Sequence, residues 1–279
     1  MAQKLMSTKN SGKQKLRKEP SSKEVLQKHK DILSSGLYLV ATPIGNLGDM
    51  TYRAVETLRD VDLILCEDTR VTRKLMAHYD IHTPVAVYND LTEGRSVQGI
   101  LDRIQNGAGV AMVSDAGMPL ISDPGYKLVR ACRDVGVRVT SVPGANAVLT
   151  ALQVSGLATD AFLFLGFLPT RSAARRKALG AVVDVPATLV CYERADRVAG
   201  FLNDVAAVMG PRLVSVAREM TKLFEEVRTG PVADMIAGLD QSPIKGEVVV
   251  MVDRAGATRM SADDGAEVDR GDAVRSALQ

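Results

Sequence analysis

The chain has 279 residues, 46% of them hydrophobic and 24% charged, enough for two modest domains or one large one with a buried core. No apolar run approaches the roughly 20 residues needed to cross a bilayer, and the N-terminus holds no apolar signal segment, so no membrane helix is expected and a cytoplasmic location is. The formal net charge of +2 hides an asymmetry, because residues 1–35 carry nine Lys or Arg against three acids, about +6, and leave the remainder near −4.

Residues 1–35, rich in Lys, Ser and Gln, have little to bury and read as a basic, disordered tail. Contact with RNA and a merely solvated tail are both open readings of it. From Leu37, strand-like runs at LYLVA (37–41), VDLILCE (61–67), PVAVY (84–88), VAMVSD (110–115) and VRVTSVP (137–143) alternate with helical patterns such as YRAVETLRD and SVQGILDRIQNG. Several runs are apolar almost throughout, as strands buried on both faces must be. The expectation is an α/β unit over residues 36–156 with a mainly parallel sheet and helices on both faces. A second α/β unit follows over 157–253, with LATDAFLFLGFLP, a basic helix TRSAARRKALGAVV, and strands ATLVCYE (187–193), RLVSVARE (212–219), LFEEVRTG (223–230) and EVVVMVD (247–253). A crevice between the two units is a natural ligand site. Residues 254–279 are a polar, Asp-rich tail without a core role.

Cys66, Cys132 and Cys191 sit singly inside apolar segments and read as buried core residues. His29, His78 and His82 read as surface residues, and no metal site is expected. Four loops gather the unusual residues at what would be one sheet edge: ATPIGNLGDMT after the first strand, EDTR after the second, VSDAGMPLISDPG after the fourth and VPGANA after the fifth. The first lacks the endings of both a P-loop and a dinucleotide fingerprint, which argues against a nucleoside triphosphate or NAD; Asp49 within it reads as a helix cap. In EDTR, Glu67 and Asp68 are candidate acid, base or magnesium-binding groups with Arg70 as an anion hook, or else a strand-end capping cluster with an internal ion pair. In VSDAGMPLISDPG the strand should end near Ser114 and a helix begin with Asp123 as cap and Pro124 in its first turn. Whether that loop binds a ligand or is only a decorated connection is open on spacing alone.

From Leu39 to Val252 the chain resembles the bacterial ribosomal RNA small subunit methyltransferase I family. The matching residues are TPIGNLGDMT (42–51), CEDTR (66–70), VSDAGMPLISDPGY (113–126), VPGANAV (142–148), GFLP (166–169), ARRKAL (174–179), AREMTKLFEE (217–226) and KGE (245–247). The resemblance implies a two-domain α/β fold of the tetrapyrrole-methylase type, with a mainly parallel N-terminal sheet, a mixed C-terminal sheet and a cleft between. It implies a homodimer that uses S-adenosylmethionine to methylate the 2′-oxygen of a cytidine, number 1402 in the family, in 16S rRNA or the small ribosomal subunit. Carried over by position, cofactor contacts fall on Ile44, Asp115, Met118, Asn146, Ala147 and Gly166, with Leu168 on the far wall. Candidate bases or orienting groups are Glu67, Asp68, Glu219 and Lys222, and candidate RNA-phosphate contacts are Arg175, Arg176, Lys177 and Arg218. The chain departs from the family's usual pattern at Met118, where Thr is usual, near Asn146, and in the segments Tyr88 to Glu93 and Tyr192 to Arg197. A small-molecule methyltransferase and a non-catalytic RNA-binding relative are the alternative functions.

Overall fold

The computed structural model describes residues 33–241 and 244–254, so the basic segment 1–32 and the Asp-rich segment 255–279 lie outside the described residues. Strands β1 (Gly36–Val40), β2 (Leu63–Cys66), β3 (Val85–Val87), β4 (Gly109–Met112) and β5 (Val139–Val142) form a sheet in the order β3-β2-β4-β1-β5. Every pairing in it is parallel. Both faces are covered, which explains the continuous apolar runs. Tyr38, Val40, Ile64 and Cys66 pack on α1 (Tyr52–Asp60) and α2 (Thr69–His78), whereas Leu37, Leu63, Val110 and Met112 pack on α3 (Asp90–Gln105) and α4 (Tyr126–Asp134).

Two caps differ from expectation. Thr51, not Asp49, caps α1, its hydroxyl accepting from the Ala54 amide at 3.1 Å. Helix α4 starts at Tyr126 after Gly125, with no side-chain cap. Asp123 is therefore not a helix cap: Gly125, at φ +128, turns the chain after Pro124 and takes the N-cap position, two residues beyond the carboxylate.

The second sheet is mixed, in the order β6-β7-β10-β8-β9, with β6 (Phe162–Phe167) parallel to β7 (Thr188–Arg194). Strand β10 (Glu247–Val252) runs antiparallel between β7 and β8 (Leu213–Arg218), and β9 (Glu226–Pro231) closes the far edge. Alternate residues of β10 serve two cores. Val248, Val250 and Val252 face α6 (Ser172–Gly180), α7 (Val198–Met209) and α8 (Val232–Gln241), while Val249 and Met251 face α5 (Ala147–Val154). Helix α5 thus follows the last strand of the first sheet yet packs on the second. Ile44, from the loop after β1, joins that same cluster.

Helices α7 and α8 have no counterpart in the sequence reading. Val198, Phe201, Leu202, Val205 and Met209 of α7 do follow helical spacing and are buried. Gly200 and a buried Asp204 interrupt the stripe, and only the fold supplies Asp204 with its partners.

Candidate active site

The loops after β1 and β4 are stitched together. The Thr42 amide donates to the Gly117 carbonyl at 2.8 Å, the Gly117 amide donates back to Thr42 at 3.1 Å, and the Thr42 hydroxyl donates to the Ser114 carbonyl at 3.1 Å. Gly117 adopts φ +82, and a Cβ there would stand 3.2 Å from Ile44 Cγ2, so the crossing needs a glycine. Beyond it, Leu120 and Ser122 hold φ of 72° and 69°. Left-handed backbone at residues other than glycine carries strain and gathers at functional sites.

These loops form one wall of a cavity of about 790 Å³, and the ends of β7, β8 and β10 form the other. The first wall carries Ile44, Glu67, Asp115, Met118, Asp123, Asn146 and Ala147; the second carries Phe167, Tyr192, Arg194, Ala217, Met220, Lys245 and Glu247. Asn146 caps α5, its side-chain oxygen accepting from the Leu149 amide at 3.0 Å, so the α5 N-terminus faces the space with Ala147 beside it. Asp115 accepts from the Asp68 amide at 3.3 Å. Withdrawal from water raises the Asp115 pKa, a bond from that amide opposes the rise, and the Asp68 charge adds to it. Asp123 is pushed up to about 6, chiefly by burial, against a hydrogen bond with Ser114 and with help from the Asp115 charge. Burial and the Asp123 charge push Tyr192 up to about 12. The result is a cleft with acidic groups set among apolar walls, suited to a ligand that is both cationic and partly apolar.

The rim is fixed by an ion-pair clamp. Lys222 Nζ donates to Glu219 Oε1 at 3.1 Å and to Glu247 Oε2 at 2.9 Å, and the Glu247 amide donates to Glu219 Oε1 at 3.0 Å. The Lys222 stem lies over Gly45 so closely that any Cβ there would collide with it, which ties the β8–β9 loop to the loop after β1.

The model of the Tetrapyrrole (Corrin/Porphyrin) Methylases matches residues 36–236. The chain belongs to the tetrapyrrole (corrin/porphyrin) methylase family. Among its relatives, proteins named ribosomal RNA small subunit methyltransferase I are 44% identical in Rickettsia prowazekii, covering 79% of each chain, and 46% identical in Escherichia coli O157:H7, covering 78% of this chain and 77% of that one. The one from Mesorhizobium japonicum is 47% identical over 85% of this chain and 81% of its own. Among solved structures, the methyltransferase CobJ superposes with a TM-score of 0.60 at 18% identity, covering 82% of this chain and 98% of that one. Uroporphyrin-III C-methyltransferase from Thermus thermophilus, in complex with S-adenosyl homocysteine, gives 0.56 at 18%, covering 78% and 97%. At such identities the likeness to solved structures speaks for the fold.

In this methylase Ile44, Asp115, Met118, Asn146 and Ala147 come together on the cavity wall, and Glu67 joins them. Gly166 stands behind Ser122, where a Cβ would lie 3.3 Å from the Ser122 hydroxyl, and Leu168 is buried in the core under α6 and α7. Asp68 is otherwise engaged: it caps α2 and pairs with Arg70, whose hydrogen bonds hold its carboxyl down at about 2. Glu219 lies below the usual range, first through the Glu247 amide bond, and Lys222 is raised because its two carboxylate partners outweigh burial. Both are charged members of the clamp and poorly suited to accept a proton.

Helix α6 offers less free positive charge than its sequence implies. Arg175 is buried, its guanidinium donating to Asp204 Oδ2 at 2.7 Å and to the Gly200 carbonyl at 3.2 Å, so it cannot hold RNA phosphate. Arg176 donates to Asp204 Oδ1 at 2.6 Å from a half-exposed position, and Lys177 is exposed. Arg218 is committed to Glu226 at 2.7 Å. Asp123 and Phe167 also line the cavity, without a signal in the sequence: Asp123 before Pro124 has the local chemistry of a cap, and Phe167 faces the cavity through a bulge that alternation does not reveal. The three cysteines are buried, as the sequence implies.

Proposed function

We propose that the protein is an S-adenosylmethionine-dependent 2′-O-methyltransferase acting on the ribose of a cytidine in 16S rRNA, cytidine 1402 in the family, free or within the small ribosomal subunit. The observation that carries this is an acidic, apolar-walled cavity in a methylase whose relatives are named for small-subunit ribosomal RNA. The residues present fit the cofactor: Asp115 and the α5 N-terminus offer a carboxylate and amides for its amino-acid end, and Ile44, Met118 and Ala147 offer apolar surface. A sulfonium cation suits walls bearing Glu67, Asp115 and Asp123, and the first loop, without a P-loop lysine, suits a ligand without phosphate.

When bound, S-adenosylmethionine supplies the activated methyl group. The protein's share of the work is orientation and proton handling. Asp123, ionised above pH 6 yet more basic than an ordinary carboxylate, takes the proton that leaves the ribose 2′-hydroxyl, and Ser114 steadies it by a hydrogen bond. The clamp of Glu219, Lys222 and Glu247 holds the rim, while Lys177 and Arg176 offer positive charge to RNA phosphate. Residues 36–156 and 157–253 serve as the two domains of a cytoplasmic homodimer.

The test is transfer of labelled methyl from S-adenosylmethionine to small subunits taken from cells lacking this gene. Label in an alkali-resistant dinucleotide that begins with cytidine is expected. Label on a base, or none on RNA, refutes the reading.

A further inference from the structure

We propose that Phe167 is a stacking platform for an unstacked nucleobase of the RNA, set at the mouth of the cavity on the wall facing Asp115. This rests on the RNA methyltransferase reading above and adds a substrate subsite to it. In FLFLGF, the sequence of β6, strict alternation would send Phe162, Phe164 and Gly166 to one face and Phe167 to the other, into the core under α7. The register with β7 shows otherwise. Phe164 lies beside Val190, the ladder then slips by one residue, and Gly166 pairs with Cys191 and Phe167 with Tyr192. Val190 and Tyr192 belong to the cluster on the α5 side of the sheet, whereas Cys191 belongs to the core under α7. The slip therefore turns Phe167 onto the cavity face, and Gly166 permits it by adopting φ +62.

This arrangement gives up burial of a large ring. Phe167 is 58% exposed while its neighbour Leu168 returns to the core at 8%. The ring is nonetheless held in place. Tyr192 packs against it at 5.4 Å between centroids, and Phe164 supports Tyr192 in turn at 5.0 Å, edge to face. A braced, exposed aromatic ring on a cavity wall matches ligands with a flat π-face. Arg194, two residues beyond Tyr192 on the same strand, also lines the cavity with a 69% exposed side chain, and its ion pair with Asp196 is open to solvent and exchangeable. An aromatic face with a nearby exposed arginine is how single-stranded RNA is held, base on ring and phosphate by the cation. Glu67, Asp115 and Asp123 belong to the first wall, while the carboxylates on this one are already paired, Asp196 with Arg194, Glu193 with Arg197 and Glu247 with Lys222, which leaves its exposed ring to the second substrate.

The experiment compares Phe167→Ala, Phe167→Leu and Phe167→Tyr with the wild type by three readouts. These are fluorescence anisotropy with a labelled, cytidine-containing single-stranded oligoribonucleotide, calorimetry with S-adenosylhomocysteine, and KM and kcat with small ribosomal subunits. Phe167→Ala and Phe167→Leu are expected to weaken oligonucleotide binding roughly fivefold to a hundredfold and to raise KM, with cofactor affinity unchanged and Phe167→Tyr close to wild type. Because Leu keeps the bulk but lacks the π-face, a Phe167→Leu variant that binds like wild type overturns stacking. Loss of S-adenosylhomocysteine affinity with RNA binding intact gives the ring to the cofactor adenine and also overturns the proposal, as does a wild type that binds no oligonucleotide. Oligonucleotide binding that depends on Phe167 in a protein that transfers no methyl group upholds the platform and refutes the methyltransferase reading instead.

Discussion

Replacing Asp123 by Asn should make the protein more stable and less active at once. In the folded chain this carboxyl is pushed from 3.8 up to about 6, chiefly because it is drawn out of water, so between those values the native state holds a proton that the unfolded chain has released. Stability must then fall as pH rises through that window, and the whole cost is present above pH 6. The gap is worth at most ~3 kcal/mol. Because the group is only partly shielded, solvent screening leaves about 1–2 kcal/mol. Asn keeps the shape and can still hydrogen-bond Ser114, but carries no charge to desolvate. Urea denaturation at pH 8 should therefore show Asp123→Asn more stable than wild type by about 1–2 kcal/mol, or a Tm about 2–8 °C higher, with the advantage vanishing near pH 4. Methyl transfer should drop roughly 10²- to 10⁴-fold if Asp123 takes the proton. A stability difference that is the same at both pH values, or larger in acid, would refute the reasoning about burial.

Three other outcomes follow from the geometry. Asp115→Ala should weaken S-adenosylmethionine binding by roughly ten- to a hundredfold in calorimetry with an unchanged circular dichroism spectrum, since a charged acceptor in the cleft is lost. Asp204→Ala strands the buried Arg175 without its carboxylate and should cost about 3–5 kcal/mol in urea denaturation; an unchanged midpoint would mean that the pair is not buried in solution. Gly246→Ala places a Cβ against the Glu219 carboxylate at φ +91 and should cost about 1–3 kcal/mol, while making stability less sensitive to salt because the Lys222 clamp is displaced.

Much of the first sheet was legible because parallel strands buried on both faces leave long apolar runs, and because helices such as YRAVETLRD carry a clean 3.6-residue period between them. The loop cluster was legible too: strands running one way must put their C-terminal loops together, and Ile44, Glu67, Asp115 and Asn146 do meet. What escaped depended on tertiary partners. Asp123 followed by Pro124 has the local chemistry of a helix start, but Gly125 delays the helix by two residues. Arg175 looked like a surface charge, because nothing near it in sequence shows that Asp204, 29 residues on, buries with it. Phe167 was hidden by a one-residue slip that inverts every inference from alternation.

The pairing at Asp204 also bears on how tightly RNA binding should depend on salt. Counted along the chain, Arg175, Arg176 and Lys177 suggest three cations displaced into the solvent when α6 meets a phosphate backbone, each adding about −0.7 to the slope of log K against log salt for a single strand. Asp204 internalises one of those charges and shares a second, so the helix brings nearer one full counterion to the interface than three. Binding through this surface should accordingly persist at ionic strengths that would strip off a helix with the same sequence charge and no acid beneath it.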